Sequence, residues 1–507
     1  MNAETMLASE FATLSDLIRA NANERGAKPA LIADQRVLDY AGLGAVMDRV
    51  AAGLQRDGLV KGDAVALLGT ASIDYACAFL GALRAGCVPA PIAPSSTGDQ
   101  IAAMVADCGA KILFLDRAGA TRIDGIHIAA NRIGLDGATA DIAWQDFLAP
   151  AGVSPVPVSI APSDPFNIIY SSGTTGTPKG IVQPHSMRWQ HIGRSPTTFR
   201  DAVTMIATPL YSNTTLVSFL PTLARGGAAV LMPKFDARTY VEMAARHRAT
   251  HSMLVPVQYQ RIMALPDFDS FDLSSYQFKS CTSAPFSAEL KADVLARWPG
   301  LLIEYYGLTE GGGTCILICN AFPDKLHTVG RPLEGHDIRL IDEDGAEVSQ
   351  GETGEVVGRS AAMMSGYHGR DDVTAASTWH DADGNAYLRH GDVGRFDEDG
   401  FLILMDRKKD LIISGGFNIY PSDLEAVLAQ HPQVKDCAVI GVPSDEWGET
   451  PVGYYVGDDD TRAILDWFNG QVGKTQRLAA LEAIDELPRS AIGKVLKREL
   501  RDRYLAK

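Results

Sequence analysis

The chain has 507 residues, 46% hydrophobic and 21% charged, the balance of a soluble globular protein with material for about three to four domain-sized units. Its formal net charge of -16 argues against bulk nucleic-acid binding, which needs a basic face, but leaves room for a local cluster that holds a small anion. Seven cysteines, Cys77, Cys87, Cys108, Cys281, Cys315, Cys319 and Cys437, form no C-x-x-C pair and no Cys/His metal spacing, so reduced thiols and a cytoplasmic setting are expected.

The opening residues, MNAETMLASEFATLSDLIRA, lack a basic segment followed by a long apolar run, so no signal peptide is expected. No run approaches the roughly 18 apolar residues of a membrane span. Leu43, Met47, Val50 and Leu54 recur at helical spacing, and AVALLG follows as a buried strand. IDYACAFLGALRAG reads as a helix and CVPAPI as the next strand. The stretch LAPAGVSPVPVSIAPSDP (148–165) is rich in Pro and Ser and reads as an extended connection. Later, the helix TYVEMAARHRA precedes the strand THSMLVPV. Apolar runs between helices predict largely parallel sheet and an α/β class. Cys315 and Cys319 are spaced to share one helix face, where core packing is the expected role. Turn-rich, strand-like segments, GEVVGRSAAMMSGYHG and GDVGRFDEDGFLILM, precede a charged DRKKD at 406–410. Behind it, PSDLEAVLAQH opens with Ser422 and Glu425 at capping-box spacing, and CAVIGV reads as a strand. Residues 410–507 are therefore expected to form a small α+β domain behind a charged hinge.

The stretch YSSGTTGTPK runs from Tyr170 to Lys179. Ile168 and Ile169 lead into it, which places the turn at the end of a buried strand, where ligands of open α/β sheets gather. Gly173 and Gly176 let the backbone curl so that N–H groups converge on an anion. Ser171, Ser172, Thr174, Thr175 and Thr177 add rotatable hydroxyl donors, and Lys179 adds a point charge. A polyphosphate satisfies all of these; a flexible polar surface loop is the plainer alternative. The usual P-loop needs G-x-x-x-x-G-K-[ST], whereas here Pro178 precedes the lysine and Gly180 follows it, which counts against a P-loop NTPase.

After YSSGTTGTPKG come YYGLTEGGG (305–313), GEVVGRS (354–360), YLRHGDVGRFDEDGF (387–401), DRKKDLIISGGFNIYPSDLE (406–425) and LPRSAIGKVLKREL (487–500). With six motifs in this order, the chain resembles the acyl-adenylating superfamily of acyl-CoA synthetases, peptide-synthetase adenylation domains and firefly luciferase, and in particular 4-coumarate–CoA-ligase-like carboxylate–CoA ligases. The resemblance implies a large N-terminal domain, 1–406, of layered α/β subdomains with a small β-barrel-like part. It implies a hinge at 407–409, with Lys409 at the pivot, and a small mobile α+β domain, 410–507. It implies ATP, Mg2+ and coenzyme A: a carboxylate attacks the α-phosphate of ATP to give acyl-AMP and pyrophosphate, and a thiol then displaces AMP.

By the same resemblance, Thr309 touches phosphate and Glu310 helps to hold Mg2+, a hard cation that bridges phosphates. Tyr306 stacks on adenine, with Tyr305, Gly307, Ser283, Ala284 and Pro285 around the nucleotide. Asp392 takes the ribose hydroxyls, and Arg407 lies near the ribose. Lys494 stabilises the charge that builds on the carboxylate and the α-phosphoryl oxygens. Gly415 and Gly416 line a pantetheine tunnel. The implied partners are a small-molecule carboxylic acid, ATP and CoA, with no nucleic acid and no membrane span; a homodimer is a further expectation.

PLYSNTTLVSFLP (209–221) matches the family segment that frames the carboxylate pocket. Ser212 stands after Tyr211 where amino-acid-activating members carry an Asp, so an α-amino acid is disfavoured. Many acyl- and aryl-CoA ligases have a His there as an aromatic gate, and this chain does not. Gly311, Gly312 and Gly313, with Thr214, Thr215, Ser283 and Ala284, suggest a roomy, mostly uncharged pocket. A medium or long fatty chain, a hydroxycinnamate-like aromatic acid or an alicyclic acid is expected. Loading of a separate acyl carrier protein is the alternative, and a non-catalytic nucleotide-binding protein is the reading from another class.

Overall fold

The computed structural model describes residues 1–171, 179–407, 409–414, 417–444, 447–457, 461–473, 476–490 and 493–507, with the backbone alone at 171, 417 and 418. The helix Tyr40–Arg56 starts where Asp39 accepts a hydrogen bond from the Gly42 N–H at 2.7 Å, and buries Leu43, Met47, Val50 and Leu54. It crosses the helix Ile73–Arg84 at Gly81, where a Cβ would stand 2.4 Å from Val50 Cβ, so only glycine permits this approach.

A five-stranded parallel sheet runs in the order Val88–Ile92, Ala64–Leu68, Ile112–Leu115, Asn131–Gly134, Ile142–Ala143. Ala64–Leu68 is buried at every position because both its faces are covered: Val65 and Leu67 enter one core, and Ala64, Ala66 and Leu68 another. A nine-stranded sheet has a parallel centre, with Val203–Ile206, Ala228–Leu231, His251–Leu254, Phe278–Cys281 and Leu301–Leu308. Its edges are antiparallel, with Gly311–Ile318 returning along Leu301–Leu308. An antiparallel sheet follows, built on Asp337–Ile341, Gly354–Arg359 and the long strand Ala386–Phe396, with Leu402–Arg407 paired to the last. The final segment forms its own sheet of Ile412–Ser414, Phe417–Ile419, Asp436–Ser444, Gly448–Val456 and Ala480–Ala483, with the helices Pro421–Leu428, Thr461–Gln471 and Lys497–Leu505. The architecture is mixed α/β, as expected.

Three local expectations are corrected. Pro165–Ser171 pairs antiparallel with Lys179–Pro184, which pairs with Gly366–Tyr367, so the strand that leads into the hydroxyl-rich stretch belongs to a three-stranded antiparallel sheet and not to an open parallel one. Periodicity could not tell the two apart, because this small sheet is also covered on both faces: Phe166 and Ile169 enter one core and Ile168 another. Ser422 and Glu425 form no capping box, since Tyr420 is the N-cap and Pro421 the first helical residue. Instead the Ser422 N–H donates to Asp406 Oδ2 at 2.8 Å, and Glu425 turns to Lys497 and the Val439 N–H. Cys315 lies in the strand Gly311–Ile318 and Cys319 just beyond it, not on a helix; both are buried.

Candidate active site

The sheets, the antiparallel segment and the C-terminal segment meet around one cavity of 2330 Å³. Lys179, Tyr211, Ser212, Thr214, Ser283, Tyr305, Tyr306, Gly307, Thr309, Glu310, Arg407, Lys409 and Lys494 all line it. In a chain of net charge -16, four of these are cationic side chains lining one cavity, which favours a polyanionic ligand. Ser172, Gly173, Thr174, Thr175, Gly176, Thr177, Gly415 and Gly416 lie outside the described residues, as does the side chain of Ser171.

The turn after Leu301–Leu308 is held at three points. The Thr309 carbonyl accepts from Gln183 Nε2 at 2.6 Å, the Glu310 carbonyl from the Met364 N–H at 2.8 Å, and Glu310 Oε1 from the Tyr367 hydroxyl at 2.9 Å. Lys179 Nζ stands 5.4 Å over the Tyr367 ring, so the lysine and the carboxylate share one tyrosine. Among the described residues no group of three or more His, Cys, Asp or Glu gathers to hold a metal. Glu310 and Thr309 nevertheless line the cavity, and a Mg2+ that takes most of its ligands from phosphate and water asks for few oxygens from the protein.

Tyr306 donates its hydroxyl to Asp392 Oδ2 at 2.8 Å, and His390 Nδ1 lies 3.0 Å from the Tyr306 hydroxyl oxygen. Burial and the adjacent Asp392 charge push the Tyr306 phenol well above its ordinary pKa, so it stays a donor. Arg407 Nε lies 3.2 Å from Asp392 Oδ1. Asp392 itself stands behind the lining. Lys494 is half-buried; Gly493 beside it has φ +76° and fits against Val257, where a Cβ would lie 2.6 Å from Cγ1. Burial, then the charges of Arg407 and Lys409, lower the Lys494 pKa to about 8 against the pull of Asp392 and Asp410.

The acyl side differs from the sequence reading. Gly311, Gly312 and Gly313 open no space: a Cβ on them would lie 2.0 Å from the Ala362 carbonyl oxygen, 2.8 Å from the Gly358 carbonyl oxygen and 1.9 Å from Ile338 Cδ1. They let the strand pack tightly on its neighbours and are not part of the lining. Thr215 is fully buried and bonded to Thr208 and the Pro209 carbonyl, so it too stands off the cavity, as do Ala284 and Pro285. Thr214 and Ser283 do line it, with their hydroxyls 2.6 Å apart. Ser283 has φ +83°, a conformation a serine adopts only at a cost and one that accumulates at functional sites. Burial raises the Tyr211 phenol to about 12.

Sequence reading missed Tyr367, His390 and Gln183. Their contacts are made across 57, 84 and 126 positions of the chain, and no local pattern marks them.

The family model described as AMP-binding enzyme matches residues 18–368, and the one described as AMP-binding enzyme C-terminal domain matches 423–494. A long-chain-fatty-acid–CoA ligase of Mycobacterium tuberculosis is 30% identical over 480 residues, covering 92% of this chain and 93% of that protein. A feruloyl-CoA synthase of an Amycolatopsis species is 33% identical over 477 residues, covering 92% and 94%. Among solved structures, an amide bond synthetase from Marinactinospora thermotolerans superposes with a TM-score of 0.84 at 26% identity, covering 97% of this chain and 99% of that one. ATP-bound MatB from Rhodopseudomonas palustris gives 0.83 at 28% identity, with the same coverage.

Proposed function

We propose how this chain, which belongs to the AMP-binding enzyme family and is an AMP-forming acyl-CoA synthetase using ATP, Mg2+ and CoA, divides that chemistry among its residues. In the first half-reaction the carboxylate oxygen of the acid forms a bond to the α-phosphorus, and the bond to pyrophosphate breaks. Lys179 and the hydroxyl-rich connection before it hold the polyphosphate, with Thr309 beside them. Glu310, fixed by Tyr367, would hold Mg2+, which when bound neutralises phosphate charge. Tyr306 stacks on the adenine and orients Asp392 toward the ribose through their hydrogen bond. The Lys494 ammonium stabilises the charge that develops between carboxylate and α-phosphate. In the second half-reaction the CoA thiolate attacks the acyl carbon and AMP leaves.

The hinge at 407–409 and the boundary between 1–406 and 410–507 belong to this reading: rotation about Lys409 would withdraw Lys494 and bring Gly415 and Gly416 to the cavity. So do a homodimer and a cytoplasmic setting. Among the described residues no helix is long and apolar enough to cross a membrane. The acid is a medium- or long-chain fatty, aromatic or alicyclic carboxylate; Ser212 offers no counter-ion to an α-ammonium. The observation that carries the reading is that Lys494 and Arg407 line the same cavity as Lys179, Thr309 and Glu310.

Its test is loss of the CoA thiol with ATP and Mg2+ across acetate, butyrate to palmitate, benzoate, cinnamate, coumarate, ferulate and cyclohexanecarboxylate. The expected result is consumption with one of the larger classes and none with acetate. Acid-dependent pyrophosphate exchange without thiol loss would instead assign the acyl group to a separate carrier protein.

A further inference from the structure

Behind the Thr309–Glu310 turn lies a buried polar chain that the reaction scheme above does not use. Arg188, on the helix His185–Gly193, is 1% exposed, and Asn167 and Gln183, on the paired strands Pro165–Ser171 and Lys179–Pro184, are fully buried. Arg188 Nε donates to Asn167 Oδ1 at 3.0 Å, and its Nη2 donates to Gln183 Oε1. Asn167 Nδ2 donates to the same Gln183 oxygen at 2.9 Å. Gln183 Nε2 then donates to the Thr309 carbonyl at 2.6 Å and to Asn213 Oδ1, on the cavity wall, at 3.3 Å.

The direction of this chain is dictated by chemistry. A guanidinium has donors only, so it forces the oxygen end of each amide toward itself. With Gln183 Oε1 committed to Arg188 and Asn167, its NH2 group must face Thr309. A buried arginine is also costly unless it is paired, and this one has no carboxylate partner among the described residues; its Nη1 makes no hydrogen bond at all. Packing alone would be served better by an apolar side chain.

We propose that Arg188 and Gln183 are positioning residues for adenylation: Arg188 orients the Gln183 amide, and Gln183 fixes the Thr309 carbonyl so that Thr309 and Glu310 face the phosphates together. This rests on the adenylating reading above. Neither residue touches a reacting atom.

Gln183→Glu separates positioning from packing. The glutamate has the same shape and gives Arg188 the counter-charge it lacks, so the fold should be at least as stable. But it sets an acceptor against the Thr309 carbonyl. Melting temperature, acid-dependent ATP–pyrophosphate exchange, its Mg2+ half-activation concentration, and thioester formation from preformed acyl adenylate are to be measured together. The expected result is an unchanged or raised melting temperature, exchange lowered by about tenfold or more, and a higher Mg2+ requirement, with the thioester step intact. Arg188→Lys, which lacks the planar fork that engages both amides, should fall between wild type and Gln183→Glu in exchange. Wild-type exchange and Mg2+ dependence in Gln183→Glu would overturn the proposal, as would equal losses in both half-reactions. No exchange in the wild-type protein with any acid would overturn the adenylating reading itself, a result distinct from an indifferent Gln183→Glu.

Discussion

Lys494 sits among Arg407 and Lys409 in a half-buried position, and both effects favour its neutral form, bringing its pKa to about 8. If the ammonium is what adenylation needs, kcat/KM for the first half-reaction should fall as pH rises through about 8. Lys409→Met removes one neighbouring charge and should move that fall to higher pH, which a pH–rate profile of both proteins reads directly. Stability runs the other way. The Lys494 pKa is lowered on folding, so the unfolded chain binds more protons between about pH 8 and the ordinary lysine value of 10.5, and the folded state gains from this group as pH rises through that window. Tyr367 yields a second residue-scale prediction. Tyr367→Phe keeps the ring under Lys179 but frees Glu310 Oε1, so the Mg2+ half-activation concentration should rise about fivefold or more while KM for CoA stays the same.

Two elements carry the site on backbone that the sequence did not advertise. Two residues beyond the strand Phe278–Cys281 stands Ser283 at φ +83°, with its hydroxyl bonded to Thr214. Ser283→Ala keeps the strained backbone and loses the bond, at a cost of about 1 kcal/mol in urea denaturation. Ser283→Gly loses the same bond but relieves the strain, and should be the more stable of the two. Next to it, the strand Leu301–Leu308 is anchored by Glu304, which pairs with the buried Lys291 while Lys291 donates to the Leu326 and Thr328 carbonyls. Glu304→Ala leaves a buried unpaired charge and should cost about 3–5 kcal/mol, whereas Glu304→Met with Lys291→Met should cost less than that single change. Elements with strong local patterns were legible in the sequence: the helix from Tyr40, the all-buried Ala64–Leu68 and the strand from His251. What misled was a residue type with two uses. Gly311, Gly312 and Gly313 read as free volume, but the neighbouring Ala362, Gly358 and Ile338 fill it, and only the packed chain shows which use applies.

At the scale of the molecule, motif order was enough to place the chain in its family, and the two family matches fall on either side of the 406–410 segment. The cavity is where that order becomes geometry. Lys179 comes from the small antiparallel sheet, Glu310 from the turn between two strands of the large one, Arg407 from the end of the strand Leu402–Arg407 and Lys494 from the last segment. The supporting contacts were not legible. Gln183 to Thr309, His390 to Tyr306 and Tyr367 to Glu310 join elements far apart in sequence, and each depends on a three-dimensional approach that no spacing encodes. The corrected sheet around Lys179 has the same origin, since burial on both faces gives one apolar pattern to parallel and antiparallel strands alike.

The central claim is that Lys494 serves the first half-reaction and not the second. Lys494→Ala, compared with wild type using the best acid, separates the two: acid-dependent ATP–pyrophosphate exchange reads adenylation, and CoA thioester formation from synthetic acyl adenylate reads thiolysis. The account predicts exchange lowered by about a hundredfold or more, with thiolysis within about threefold of wild type. Exchange at the wild-type rate in Lys494→Ala, or an equal loss in both steps, would contradict it.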